Sequence, residues 1–376
     1  MARIYLDYNA STPIDPRVAA VMRPYLDDAY GNPSSPHWAG RPAREAVELA
    51  RGQVADLLDA APDEIVFTSG GSEANNLALK GVFFALRERG EHIVTSAVEH
   101  PSILEPCHFL ERLGASVTYL PVDRAGRIDP EDLRRAIGPR TILVSIMHAN
   151  NEVGTIQPIH ACADIAHEHG ILFHTDAAQS VGKITTDVGE LQVDLLSVAG
   201  HKLYAPKGVG ALYVRRGVEL ESLIHGAGHE DGRRAGTESA LLALGLGEAC
   251  VLAKDLSGIV AIRAMRDMLW DGLRRSFGEG VALNGHLNHR LPNTLNVSFV
   301  GRSGSEILEQ LDDVAASTGS ACHADRVALS PVLEAMGVSP KVGMGAIRFS
   351  LGRGSTPDEI EALVARLTEV VALRMN

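Results

Sequence analysis

The sequence predicts an α/β fold, with a mainly parallel seven-stranded sheet in a large domain and a smaller α+β domain beside it. Three observations carry this. From about Glu64 a unit of short apolar run, turn and helical stretch recurs, and such alternation indicates a largely parallel sheet covered on both faces. Beyond about Asp255 the pattern changes to long helical stretches interleaved with isolated strands. The chain has 376 residues, more than the roughly 250–300 at which a single hydrophobic core stops growing. The expected domains are 16–255, and 1–15 together with 256–376.

In chain order, residues 1–15 form an extended lead-in ending at Ser11-Thr12-Pro13. Helical periodicity follows over Pro16 to Leu26 and Arg41 to Leu58, with the loop Gly31-Asn32-Pro33-Ser34-Ser35-Pro36 between them. Seven apolar runs supply the sheet, at 65–67, 92–95, 116–119, 142–146, 171–174, 194–197 and 211–214. A helix is expected around 240–255. The smaller unit has helices at 260–277, 306–311 and 357–373, and strands at 294–300 and 346–351.

Composition narrows the function. Hydrophobic residues make up 45% and charged residues 22%, ordinary values for a globular chain. A formal net charge of −12 without any basic run argues against a nucleic-acid partner. No stretch approaches the roughly 20 apolar residues that span a bilayer, and Met1–Asp7 lacks a signal-peptide run. Cys107, Cys162, Cys250 and Cys322 are too few and too scattered for a disulfide framework. A cytoplasmic protein with free thiols, not bound to a membrane, is the expectation.

In open α/β sheets, ligands sit beyond the carboxyl ends of the strands. Four groups fall there. Lys202, one of only six lysines, follows the run Leu195–Ala199 in a Gly-His-Lys corner. A lysine amine desolvated in such a place can form a Schiff base with an aldehyde, although a plain turn lysine fits the same pattern. Thr68-Ser69-Gly70-Gly71-Ser72 opens a helix directly after a strand, which suits either a phosphate cradle or an ordinary capped turn. Asp176 ends a third run with Gln179 three residues on. It reads as a carboxylate facing a ring nitrogen or as a helix N-cap. His100, before Pro101, suits ring stacking or proton transfer, or is structural. Together they match what pyridoxal 5′-phosphate needs: an amine for the imine, an acid to keep the pyridinium charged, and a helix start for the phosphate.

The residues then reach a family. The chain resembles the NifS/IscS-type cysteine desulfurases, which are class V aminotransferase-like enzymes dependent on pyridoxal phosphate, and is also similar to the selenocysteine lyases. The resemblance covers nearly the whole length. It runs through Tyr5-Leu6-Asp7-Tyr8-Asn9-Ala10-Ser11-Thr12, Val98-Glu99-His100-Pro101, Ala149-Asn150-Asn151-Glu152, His174-Thr175-Asp176-Ala177-Ala178-Gln179 and Gly200-His201-Lys202. It continues in Arg234-Ala235-Gly236-Thr237-Glu238, Ser317-Thr318-Gly319-Ser320-Ala321-Cys322 and Ile347-Arg348-Phe349-Ser350.

The resemblance implies the aspartate aminotransferase-like fold, type I among pyridoxal phosphate enzymes. It implies Lys202 as the coenzyme's covalent anchor, Asp176 at the ring nitrogen, Gln179 at the ring hydroxyl, and His100 stacked on the ring and moving protons. Gly71, Ser72 and His201 would hold the phosphate, with Thr237 supplied by the other subunit of a homodimer. Asn151 and Arg348 would fix the substrate carboxylate, and the alternation Ile347, Phe349, Leu351 leaves Arg348 on the opposite strand face. Cys322, alone among the cysteines in a small, polar setting, would attack the sulfur of L-cysteine and carry it as a persulfide, leaving L-alanine. The sulfur would pass to an acceptor protein such as an iron–sulfur scaffold. No resident metal is expected, Cys322 serving at most as a transient iron–sulfur ligand.

Three features depart from the common pattern. Ala199 stands where many members have serine. Cys322-His323-Ala324-Asp325 is closer to selenocysteine lyases, whereas Pro101 after His100 is as in NifS-like enzymes. The chain stops at Asn376 without the tail some relatives use for docking. L-selenocysteine is therefore the alternative substrate. Other readings are transamination, which does not need Cys322; a catalytically silent sulfur carrier; and a metal module built on His160, His167, His169 and His174. The last lacks ligand spacing, since His167 and His169 do not share a helix face.

Overall fold

The computed structural model describes residues 3–318, 320–323 and 326–372, with side chains described for all of these except 320–323, 326–328 and 372. Its centre is a seven-stranded sheet in the order Ile65–Thr68, Gly210–Val214, Leu195–Ala199, Leu172–Asp176, Thr141–Ser145, His92–Ser96 and Ser116–Leu120. All neighbours pair in parallel except around Gly210–Val214, which runs antiparallel to both of its partners. The inner strands are buried at nearly every position. That is why they read as continuous apolar runs rather than alternating ones.

Helices cover both faces. On one, Gly40–Leu58 buries Ala43, Ala46, Val47, Ala50, Val54, Ala55 and Leu58, the three-and-four spacing of one helical stripe. That stripe packs against Ala240–Ala253, where a side-chain carbon at Gly247 would come within 2.8 Å of Ala50 Cα. Glycine at that position is what lets the two helices close. On the other face Gly71–Leu86 and Pro101–Glu111 enclose Leu77, Leu79, Ile103 and Leu110 with Ile93 and Leu195 of the sheet.

A second, four-stranded sheet is antiparallel throughout, in the order Ser317–Thr318, Ala346–Ser350, Thr294–Phe299 and Val281–Asn284. The helices Ile259–Phe277 and Pro357–Ala372 bury Leu269, Leu273, Ile360 and Leu363 against it. Ile4 and Leu6 of the lead-in join this core, and Ile4–Tyr5 pairs in parallel with Val314–Ala315. The lead-in then runs from Asp7, bridged to Ser350, to Thr12, whose N–H donates to His201 O at 2.9 Å. It thus ties the smaller sheet to the Lys202 corner. Among the described residues no helix is long and apolar enough to cross a membrane.

Four details differ from the sequence expectation. The helix expected over 16–26 is two pieces, Pro16–Met22 and Pro24–Asp27, because Pro24 has no N–H to continue the ladder. The helix expected at 306–311 lies at Gly304–Leu308, with Ser303 capping the N–H of Glu306. Val281–Asn284 is a strand that periodicity missed. So is the small antiparallel pair Ser320–His323 with Arg326–Leu329.

Candidate active site

Beyond the carboxyl ends of the central strands lies a cavity of about 660 Å³. Gly71, Ser72, His100, Asn151, Asp176, Gln179, His201, Lys202 and Arg348 all line it. Thr237 does not: it is exposed, on a loop outside this wall. Cys322 has its backbone in Ser320–His323, and its side chain lies outside the described residues.

Lys202 reaches the cavity because Leu195–Ala199 turns back almost at once into the antiparallel Gly210–Val214. Its Nζ donates to Asn9 O at 2.6 Å and Ala10 O at 2.9 Å. Burial, reinforced by Arg348 and opposed by Asp176 and Asp7, lowers its pKa to about 8. Next to it, burial and the Lys202, Lys207 and Lys183 charges push His201 down to about 4. Its Nδ1 is buried without a partner, a neutral polar atom turned away from every protein donor and acceptor described.

The helix Gly71–Leu86 starts without a side-chain cap, behind Gly70 at φ 150°. A Cβ on Gly71 would meet Ala199 Cβ at 3.0 Å, so backbone and cavity approach closely there. Glu73 folds back onto Ser69 N at 2.8 Å and pairs with Arg234 at 2.9 Å. Burial works against its ionisation, yet Arg234 and Ser69 hold its carboxyl below the usual range. Gly71, Ser72 and Glu73 of the first helical turn line the cavity without a side-chain cap, the arrangement that suits a bound anion.

Asp176 ends its strand buried, its Oδ2 accepting from Asn75 Nδ2 at 2.7 Å and its Oδ1 from Ala178 N at 2.9 Å. No helix follows Asp176, so it is not the N-cap that the sequence allowed; its Oδ1 closes a turn and its carboxylate is fixed at the cavity floor. Asn75 also donates to Ser102 Oγ at 2.8 Å. His100 caps the helix Pro101–Glu111, accepting at Nδ1 from Ser102 N at 3.1 Å. In the neutral ring that leaves the proton on Nε2. Burial lowers the pKa of His100; Asp176 opposes this and Lys202 adds to it.

Gln179 donates from Nε2 to Asn9 O at 3.0 Å, while its carbonyl groups accept from Lys183 Nζ at 2.9 and 3.2 Å. Arg348 donates from Nη1 to Asn151 O at 3.0 Å and from Nη2 to Asp7 Oδ1 at 2.7 Å and Ser317 Oγ at 2.9 Å. Its Nε is buried and unpartnered.

Sequence reasoning missed Asn9 and Asn75 as members of this wall, and Asp7 and Lys183 as the partners that hold Arg348 and Gln179 of it from behind. The only signal for Asn75 was its place one turn inside the helix that Gly71 begins. The described cysteines, Cys107, Cys162 and Cys250, are buried, and burial pushes each thiol up to about 12. None is a nucleophile near neutral pH. Of the four histidines considered as a metal set, three are separately engaged: His160 with Glu190 O, His167 with Asp194, His174 between Ser145 and Ser197. Among the described residues no group of three or more His, Cys, Asp or Glu is arranged to hold a metal.

Comparison with known proteins places these features in context. The profile of the aminotransferase class-V family matches residues 4–363. A protein of Dictyoglomus turgidum named cysteine desulfurase IscS is 48% identical over 372 residues, covering 98% of this chain and 94% of its own. Among solved structures, a NifS-like protein superposes with a TM-score of 0.93 at 38% identity, covering 99% of this chain and 100% of its own. SspA in complex with cysteine gives 0.83 at 40% identity, covering 93% and 98%.

Proposed function

The chain belongs to the class-V aminotransferase family, and from that premise we propose that it is a cysteine desulfurase, converting L-cysteine to L-alanine and passing the sulfur to its own Cys322. The observation that carries this is the joint placement of Lys202, Asp176, an uncapped helix start and Arg348 around one cavity. The desulfurase name of the similar proteins favours L-cysteine over the selenocysteine alternative.

The residues fit pyridoxal 5′-phosphate. The unpartnered His201 Nδ1 and the tight approach at Gly71 suit its phosphate, together with Ser72 and a second subunit's Thr237. Lys202 would anchor it, with Asp176 at the ring nitrogen, Gln179 at the ring hydroxyl and His100 over the ring. When bound, this coenzyme supplies an aldehyde and an electron-withdrawing ring that stabilises negative charge at the substrate Cα.

The chain's own residues do the rest. Arg348 and Asn151 orient the substrate carboxylate. Lys202, with its pKa near 8, is a base able to take the Cα proton near neutral pH. The Cys322 thiolate attacks the substrate sulfur. A sulfur–sulfur bond forms as the Cβ–S bond breaks, and the electron pair left on the carbon skeleton takes protons from His100 or Lys202 to give L-alanine. The raised thiols of Cys107, Cys162 and Cys250 leave Cys322 as the thiol for this step.

A homodimer, a cytoplasmic setting and an acceptor protein such as an iron–sulfur scaffold belong to the same reading. So does the division at 16–255 and 1–15 with 256–376, supported by the separate apolar core around the smaller sheet.

The test is incubation with L-cysteine, measuring alanine and locating the persulfide by mass spectrometry. Alanine should form with the extra sulfur on Cys322. Cys322→Ser should retain the absorbance of bound coenzyme near 400 nm, about as in the wild type, and lose sulfur transfer. Full activity in that variant overturns the role.

A further inference from the structure

The geometry points to Asp7 as an internal competitor for the substrate: a resident carboxylate that holds the Nη2 edge of Arg348 and must be displaced before a substrate carboxylate can dock bidentately. This rests on the proposed role of Arg348.

A guanidinium offers two bidentate faces, one end-on from Nη1 and Nη2, the other side-on from Nε and Nη2. Both need Nη2. In this protein the two Nη2 hydrogens are committed to Asp7 Oδ1 at 2.7 Å and Ser317 Oγ at 2.9 Å. Ser317 Oγ in turn donates to the same Asp7 oxygen at 2.8 Å, closing a three-membered ring of contacts. Nη1 donates to Asn151 O, and Nε has no partner among the described residues. Among the described residues Nε and one Nη1 hydrogen are thus unused, and neither bidentate face is complete.

Asp7 is well placed to hold its grip. Its backbone is bridged to Ser350, two residues from Arg348 on the same strand, and Tyr5 Oη donates to its carbonyl at 3.2 Å. The Arg348 side chain is 10% exposed and that of Asp7 20%, so solvent screens the pair little. An incoming carboxylate that takes Nε and Nη2 satisfies the orphaned Nε and releases Asp7. The exchange of one carboxylate for another is nearly neutral in charge. A ligand offering only a carboxylate gains little from it, whereas one with further groups to engage in the cavity gains the difference. Asp7 thereby weakens every carboxylate ligand alike, so that only one with further groups to engage in the cavity stays bound.

The experiment titrates the holoenzyme with propionate by calorimetry and follows L-cysteine turnover. Asp7→Asn keeps the shape and one acceptor oxygen but removes the competing charge. Its Kd for propionate should fall about tenfold, the order for removing one partly buried competing charge, and its KM for L-cysteine should fall without any rise in kcat. Ser317→Ala, which loosens Asp7 without changing charge, should tighten propionate by about twofold to threefold. An unchanged or weaker Kd in Asp7→Asn overturns the inference; should that variant fail to fold, the same result in Ser317→Ala overturns it. Arg348→Gln separates the two readings. If it binds propionate like the wild type, the role of Arg348 itself fails. If it loses binding while Asp7→Asn matches the wild type, only the role of Asp7 fails.

Discussion

Two lysines share the wall behind the cavity, and burial acts on both. Lys202 is lowered to about 8 and Lys183, deeper, to about 7, with Lys202 and Arg348 adding to the effect of burial. Among the described residues Lys183 is held by Gln179, through its backbone and side-chain oxygens. The unfolded chain takes up this proton below the ordinary lysine value of 10.5, the folded one only below about 7. Between those values the unfolded state binds more protons, so this group's contribution to stability rises with pH across the window and is lost on descending it. Lys183→Met abolishes the titration. Its stability relative to the wild type should therefore improve steadily as pH falls from about 10 to 7, read from denaturant midpoints at each pH. A difference that stays flat would mean Lys183 keeps its ordinary basicity. Lys202 was legible in the sequence because it closes a buried strand, where a charge needs a reason. Lys183, Asn9, Asp7 and Asn75 were not. Their roles arise from partners far along the chain, as when Asn9 O receives Lys202, and local pattern holds no trace of such approaches.

The start of the helix Gly71–Leu86 and the end of the strand Leu195–Ala199 form one structural unit, since Gly71 faces Ala199 with room for no extra carbon. Ala199 leaves that edge without a hydroxyl. Ala199→Ser should add one charge-assisted hydrogen bond to a bound phosphate and slow coenzyme loss about tenfold. Gly71→Ala should do the opposite, because the added methyl at 3.0 Å forces the helix start away from the strand. Coenzyme remaining per subunit after timed dialysis checks both; equal retention in all three proteins would place the phosphate elsewhere. The inner strands of the main sheet were readable because they are buried on both faces and so carry apolar runs, while the partly buried edge strand Ser116–Leu120 was found from its place in the repeated strand–helix alternation. Val281–Asn284 was not, because its two central residues are only partly buried and its identity depends on pairing with Thr294–Phe299. The helix break at Pro24 was hidden by an apolar period that carries on through it, although the proline itself announced a boundary.

One expected coenzyme ligand stands apart from the cavity of its own chain. Thr237 is exposed and absent from the wall that contains Gly71, Ser72 and His201. If it serves the cavity of a second copy, each site is a composite, and composite sites can be complemented. Lys202→Ala removes the amine from a subunit's own cavity, and Thr237→Ala removes a hydroxyl from its partner's. In a mixed dimer of the two, one cavity carries both lesions and the other carries neither. Unfolding the two variants together and refolding them at equal ratio should therefore yield mixed dimers with one intact site each, about half of all dimers by random pairing. Coenzyme retention and desulfurase activity in the mixture should exceed the average of the separate parents. If Thr237 acts within its own subunit, every mixed dimer instead holds one site damaged by each lesion. The mixture then matches the average of its parents, and the shared-site arrangement is wrong.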